Sequence, residues 1–320
     1  MMIQAGERLR ADCPPGWLSG LLAEACPGAW GPDDGEPGGI ELTVTAEPKP
    51  FHLGGATPLT RGAYRCGGAV VLLNACGSGF DLWLTARGDR FQIEARWRPP
   101  QRERLASLAL RSRFHLLARA ALLHYPALWW AGRRGRVPLH AAAVTLGDGV
   151  PLLAGPGGIG RSTLLLDAVN AGEHACSDNL CVSDGYQAYG LVEPVRVEGG
   201  GGRRMPHGRR ERPLPGRVPT LRPDRLVVLR RNGADRPTVG RLVPEAAAKS
   251  LIAGTYMAGE LQRYWPFAAT LALGTGIGPV HPPIREIAGI LSDRLPACEI
   301  VLGAKPGAGL AELLTPAVTS

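Results

Sequence analysis

Between residues 40 and 98 the apolar positions fall in short runs rich in β-branched and aromatic side chains: "GIELTVTAEP", "GGAVVLLNAC", "FDLWLTARG" and "RFQIEARW". Turns such as "GSG" and "RGD" separate them, so the pattern predicts strands. The period then changes. In "PPQRERLASLALRSRFHLLARAALLHY", Leu105, Leu108, Leu110, Leu116, Leu117, Ala120 and Leu123 supply an apolar face with arginines between them, which predicts one long helix. "AGRRGRVP" (Ala131 to Pro138) reads as a boundary. It divides the chain into an α+β region at 1–132 and a second domain at 133–320.

The second domain opens with "PLHAAAVTLGDGVPLLAGPGGIGRSTLLLDAVNAGEHACSDNLCV". "LHAAAVTL" predicts a strand, Gly147-Asp148-Gly149 a tight turn, and "VPLLAG" a second, antiparallel strand. "RSTLLLDAVNAG" predicts a helix that packs Leu164, Leu165, Ala168 and Val169 inward and ends at Gly172. "HACSDNLCV" predicts a short strand carrying Asp178, and "DRLVVLRR" another strand. "PEAAAKSLIAGTYMAGELQRYWPFAATLALGTG" reads as mainly helical, with Pro266 bending or breaking it. On such a helix Tyr256, Glu260 and Tyr264 share a face at spacing four, with Arg263 beside it. That face suits interhelical packing or a substrate surface. No internal repeat is present.

Composition narrows the class. A chain of 320 residues with 45% apolar content fits one large or two smaller globular domains. "MMIQAGERLRADC" lacks the apolar core of a signal peptide. "FHLLARAALLHYPALWWAG" is interrupted by His115, Arg119, His124 and Pro126, against a membrane span. The seven cysteines form no CxxC pair, which argues against a zinc site and a disulfide framework and for a reducing cytoplasm. Part of the formal charge of +8 is concentrated in Arg196 to Arg217, where seven arginines face two glutamates. Glycine and proline there disfavour a helix. The segment reads as a solvated loop, or as a basic flap for phosphates or an acidic peptide carried by Arg203, Arg204, Arg209 and Arg210. No aromatic-interleaved reader or helix-turn-helix pattern supports nucleic acid as a partner.

The chemistry concentrates in "GPGGIGRST": Gly155, Pro156, Gly157, Gly158, Ile159, Gly160, Arg161, Ser162 and Thr163. Glycines let backbone N–H groups turn around phosphates. A cation at position seven, here Arg161, reaches the outer phosphates, and the hydroxyl of Ser162 suits Mg²⁺. A strand before the loop and a helix after it direct a positive helix end at the anion. The ordinary alternative is a glycine-rich strand–helix turn.

The run "LHAAAV…GVPLLAGPGGIGRSTLLLDAVNAGEHACSDN" resembles the kinase domain of the HPr kinase/phosphorylase family, whose nucleotide fold also resembles that of phosphoenolpyruvate carboxykinase. The match covers about 138–184, is weaker to Arg231, and does not extend to the first third. It implies a mixed-sheet α/β domain with a Walker A loop, ATP and Mg²⁺, and phosphorylation of a serine or other hydroxyl on a peptide or protein. A precursor peptide of a natural-product pathway is one such acceptor. By this resemblance Asp178 is the base, His140 lies near the triphosphate, and Ser162, Asp178 and Asn179 face the metal. His140 also suits a buried structural role. Two positions depart from the family pattern: Arg161 stands for lysine and Asn179 for a second acidic residue. Arginine is planar and forked where lysine is a point charge. The rival expectations are a nucleotide-binding accessory protein for a peptide or enzyme partner, and a small-molecule kinase. A homo-oligomer stays open.

Overall fold

The apolar runs of the first hundred residues assemble, among the described residues, into one sheet of eight strands. Their order is Met2–Gln4, Glu7–Asp12, Gly39–Thr45, Arg90–Trp97, Phe80–Arg87, Ala69–Leu72, Ala63–Cys66 and Thr57–Thr60. Gly39–Thr45 runs parallel to both of its neighbours, and the remaining pairs are antiparallel. Alternate residues face inward: Ile40, Leu42 and Val44 on one strand, Phe91, Ile93 and Ala95 on its neighbour. Trp129 and Trp130 cover that face, with ring centroids 4.8 and 5.3 Å from Phe91.

This computed structural model describes all residues except 34, 37–38, 46–48, 200, 206–207, 233–234, 304–308 and 315–320, and the side chain of Leu108. The protein is a mixed α/β chain of two compact units. Unit 1 comprises Met1–Arg134, Gly202–Arg209 and Arg263–Pro282; unit 2 comprises Gly135–Gly201, Arg210–Gln262 and Pro283–Ser320. Residues 263–282 and 202–209 of the second half thus pack with unit 1. Among the described residues no helix is long and apolar enough to cross a membrane.

In unit 1 the expected long helix is interrupted. Helix Gln101–Ala109 stops at Leu110, whose φ of −112° and ψ of 49° leave the helical region. Helix Arg111–Arg119 then widens into a π-turn at Ala120–His124 before the last segment, Tyr125–Gly132. The wide turn precedes Pro126, which has no N–H to give to a normal helical bond.

Among the described residues, two of the sheets of unit 2 carry the elements that flank the glycine loop. The larger has the order Ala141–Ala143, Pro151–Ala154, Arg225–Arg231, Ala297–Leu302, Thr238–Arg241. Pro151–Ala154 feeds the loop; it is antiparallel to Ala141–Ala143, as the turn residues predicted, and parallel to Arg225–Arg231. The smaller sheet has the order Thr220–Leu221, Ala188–Gly190, Cys181–Ser183, Val137–Leu139. "LHAAAVTL" is thus not one strand. Leu139 pairs with Cys181 in one sheet and Ala141 with Ala154 in the other, so the chain changes sheets at His140. The loop helix, Arg161–Asn170, buries Leu164, Leu165, Ala168 and Val169.

The helical stretch near the end of unit 2 also differs from expectation. Pro244–Met257 ends at Ala258, which is extended at φ −62° and ψ 117°; a 3₁₀ turn follows at Gly259–Leu261. The next helix, Tyr264–Thr275, belongs to unit 1. Pro266 breaks nothing: it lies in that helix's first turn, where no intrahelical donor is needed. Tyr256, Glu260 and Tyr264 therefore do not share a helix face.

Gly190 pairs with Cys181, and a Cβ placed on it would collide with the Cys176 carbonyl oxygen. Cys176 in turn donates to Ala143 O at 3.0 Å. Gly190→Ala is expected to push this segment off the sheet and to cost about 1–3 kcal/mol in urea unfolding, the scale of overpacking. An unchanged midpoint would show that the segment yields without cost.

Candidate functional site

The glycine loop and its helix form one end of the site. Gly155, Gly158 and Gly160 take φ of 155°, 79° and 112°, values L side chains rarely adopt. Pro156, Gly157 and Gly158 are exposed at the crest, Ile159 is buried, and Ser162 is half-buried. Gly160 precedes the helix without a side-chain cap, so no side chain satisfies the first N–H groups. Such an end favours an anion. Thr163 is exposed.

Arg161 does not reach over this loop. Its guanidinium is buried and its five N–H groups meet protein acceptors. Nε donates to Asp178 O at 3.3 Å; Nη1 donates to His140 O at 3.1 Å and Gly155 O at 3.3 Å. Nη2 lies 2.8 Å from His140 Nε2 and donates to Asn179 Oδ1 at 2.7 Å. The fork ties the loop's first glycine to the sheet-changing residue and to the segment carrying Asp178 and Asn179. A flexible point charge has too few donors to do this.

His140 is held from several sides. Its N–H, outside either ladder, donates to Thr255 Oγ1 at 3.1 Å, and its ring lies beside Gly254 on the same helix. Nε2 is 2.8 Å from Asn179 Oδ1. Burial first, and then the Arg161 charge, pull its pKa from 6.5 to about 4. A neutral imidazole can accept from the guanidinium or donate to Asn179, whereas a charged one would set two cations against each other.

Asp178 and Asn179 lie at a bend before strand Cys181–Ser183, not on a strand. Glu193 shapes that bend: its Oε1 accepts the N–H groups of Asn179 and Leu180, both at 2.8 Å. The Asp178 side chain bonds Ser162. Its Oδ1 is buried with no hydrogen-bond partner among the described residues. Burial raises the Asp178 carboxyl above its usual range, against the Ser162 hydrogen bond and the Arg161 and Arg196 charges. The side-chain oxygen of Asn179, expected to face the metal, accepts from Arg161 and lies against His140.

The basic segment is more ordered than a solvated loop, although Gly200, Pro206 and His207 lie outside the described residues. Strands Val195–Val197 and Arg210–Arg212 pair antiparallel, with Val197 opposite Arg210. The alternation Arg-Glu-Arg turns Glu211 inward, where it lies 3.8 Å from Arg196. Arg196 also donates to Glu260 Oε1 at 3.1 Å. Burial works to raise Glu260, but the Arg196 charge and other favourable contacts outweigh it and hold the group below the usual carboxylate range.

The expected substrate residues are therefore divided. Arg210, Tyr256 and Glu260 belong to unit 2, and Arg203, Arg204, Arg209 and Arg263 to unit 1. Arg203 bonds Glu24 at 2.8 Å, Arg209 O accepts from Met205 N at 2.7 Å, and Arg263 O accepts from Phe267 N at 3.4 Å. Four site residues were not singled out from the sequence: Glu193, Arg196, Thr255 and Arg231. Glu193 had a signal, a lone carboxylate in the apolar run "YGLVEPV". Arg231 ends its strand beside the loop and donates to Ile159 O at 3.3 Å. Its guanidinium has no other partner among the described residues. Those residues contain no cluster of three or more His, Cys, Asp or Glu arranged to hold a metal ion. No family model matches the chain, and no curated protein matches it significantly.

Two outcomes follow from this geometry. Arg161→Lys leaves several buried acceptors unpaired and is expected to lower stability by about 2–4 kcal/mol in denaturant titration; an unchanged midpoint would show that the fork holds nothing together. His140 binds protons more weakly folded than unfolded. Its contribution is complete above pH 6.5 and is lost as pH falls toward about 4. The loss is on the order of 3 kcal/mol, and His140→Gln is expected to flatten that part of the stability–pH curve. An equally steep curve in the variant would assign the acid sensitivity elsewhere.

Proposed function

We propose that unit 2 binds a nucleoside triphosphate with Mg²⁺ at Gly155–Ser162 and transfers its terminal phosphoryl group to a hydroxyl on a peptide or protein, in the manner of an HPr-kinase-like enzyme. The observation that carries this reading is the Asp178 carboxyl: buried, bonded to the loop residue Ser162, and with one oxygen unpartnered among the described residues. A structural aspartate at such a depth would have both oxygens satisfied. The antiparallel hairpin feeding the loop and the histidine at the sheet change support the same family resemblance.

Charge supports a cation-dependent site. Four carboxylates, from Asp178, Glu193, Glu211 and Glu260, face the guanidinium groups of Arg161 and Arg196. Adding a polyphosphate to that excess requires compensation. Ser162 and Asp178 are the residues that would hold Mg²⁺; it would neutralise the phosphate oxygens and fix their positions. Arg231 supplies the cation that Arg161 does not. It already lies on the loop backbone and has N–H groups to spare.

In the transfer step the acceptor oxygen forms a bond to the γ-phosphorus and its proton passes to Asp178. The bond from that phosphorus to the bridging oxygen breaks, and a nucleoside diphosphate leaves. The raised proton affinity of Asp178 in the metal-free protein suits a base; Mg²⁺ held beside it would favour the ionised carboxylate that accepts the proton. His140, neutral and fixed, positions Arg161 and Asn179. A nucleotide-binding accessory protein is the second reading. It is favoured by the structural employment of Arg161 and Asn179, the two positions that depart from the family pattern.

Calorimetry is expected to show Mg²⁺-dependent ATP binding that weakens in Ser162→Ala. With ³²P-labelled ATP, transfer to acceptor or water is expected to fall about 10²–10⁴-fold in Asp178→Asn, beyond any loss of Mg²⁺-dependent affinity. The same variant removes a costly buried charge and is expected to raise the melting temperature near neutral pH. Binding without any turnover, including turnover with water, would favour the accessory reading; absence of binding to every nucleoside triphosphate would contradict both.

A further inference from the structure

We infer that unit 1 carries a docking surface for an acidic peptide segment with an aromatic or leucine anchor. This surface lies within one unit and does not rest on nucleotide binding. Its centre is Trp17, at the start of helix Trp17–Ala25, which is 51% exposed although its ring lies 4.6 Å from Trp97 and 6.2 Å from Phe114. Leu110, also 51% exposed, sits one helical turn from Phe114, whose N–H it receives at 3.0 Å. Leaving the indole of a Trp17–Trp97–Phe114 cluster half exposed to water is unfavourable unless something covers it.

The rim is basic. Arg104 stacks over Trp97 at 5.3 Å. Arg113 and Arg204 are exposed, and their side chains have no partner among the described residues; the Arg204 backbone is fixed by the hydroxyl of Ser112 at 3.0 Å. Glu24, near the other end of the Trp17–Ala25 helix, meets Arg203 at 2.8 Å, His115 at 3.6 Å and Arg111 at 3.7 Å. Among the described residues, Glu24 and Glu103, the latter bonded to Asn74, stand against five arginines, and this excess of positive charge selects an acidic partner. The apolar centre with an arginine rim is the arrangement that gives peptide and protein interfaces their affinity. Single-stranded nucleic acid fits less well: the Trp17 and Trp97 rings cross at 71°, which leaves no stacked platform for bases, and Glu24 repels phosphates.

The test is selection of random peptides displayed on phage against the immobilised full-length chain. The selected sequences are then synthesised and titrated while Trp fluorescence is followed. Enrichment of Asp and Glu around Leu, Phe or Trp is expected. Binding is expected to weaken with salt and by about tenfold in R113E/R204E. Trp17→Ser serves as a second variant with the same expected loss, should circular dichroism show the first to be misfolded. The inference is overturned if no sequence is enriched, if the enriched sequences are neutral or basic, or if the variants bind them equally. It is also overturned if oligothymidylate or phosphatidylglycerol vesicles displace the peptide preferentially, or if sedimentation shows a self-associating chain whose association the variants abolish.

Discussion

The guanidinium of Arg161 is the interaction on which unit 2 depends. It begins the loop helix, yet its fork points into the protein and joins the loop's first glycine, the residue where the chain changes sheets, and the bend carrying Asp178. Its burial makes this an all-or-none arrangement, because an unpaired guanidinium at that depth is costly and a paired one fixes geometry. The neutral state of His140 belongs to the same arrangement, since a second positive charge against Nη2 would oppose the first.

That fixed geometry explains how a phosphate-type loop and an excess of buried carboxylates coexist. Burial raises the Asp178 carboxyl above its usual range, and one of its oxygens has no partner among the described residues. Sites that retain such a cost are those in which a ligand repays it. Glu193 holds the bend through two backbone N–H groups, while Arg196 couples Glu211 and Glu260 to the same region. The loop helix begins one residue before Ser162, and the Asp178 side chain bonds Ser162, so the positive helix end and a buried acid meet at that residue.

Much of this was legible in the sequence where the signal is local. The glycines of the loop, the helix after it, the tight Gly147–Gly149 turn and the strand Arg225–Arg231 follow from turn chemistry and periodicity. What was not legible depends on tertiary partners. "LHAAAVTL" reads as one strand because nothing in its alternation marks His140 as a change of sheet. The helix from Pro244 reads through Ala258 because alanine and glycine there carry no strong stop, and Pro266 drew the expected break to the wrong residue. Arg161 looked like a phosphate cation by position, and no sequence rule says which way a fork points. Arg231 sits some seventy residues from the loop, so only strand pairing, Ala154 against Val228, brings it alongside.

The most direct measurement is a crystal structure of the full chain grown with Mg²⁺ and a non-hydrolysable ATP analogue. The expected result has the phosphates on the N–H groups of Gly157–Ser162, Arg231 moved from Ile159 O onto a phosphate oxygen, the metal on Ser162 and Asp178 Oδ1, and Arg161 unmoved among His140, Gly155, Asp178 and Asn179. A nucleotide-bound structure in which Arg161 has left those partners to bind phosphate, or in which the analogue at saturating concentration leaves the loop empty, would contradict it.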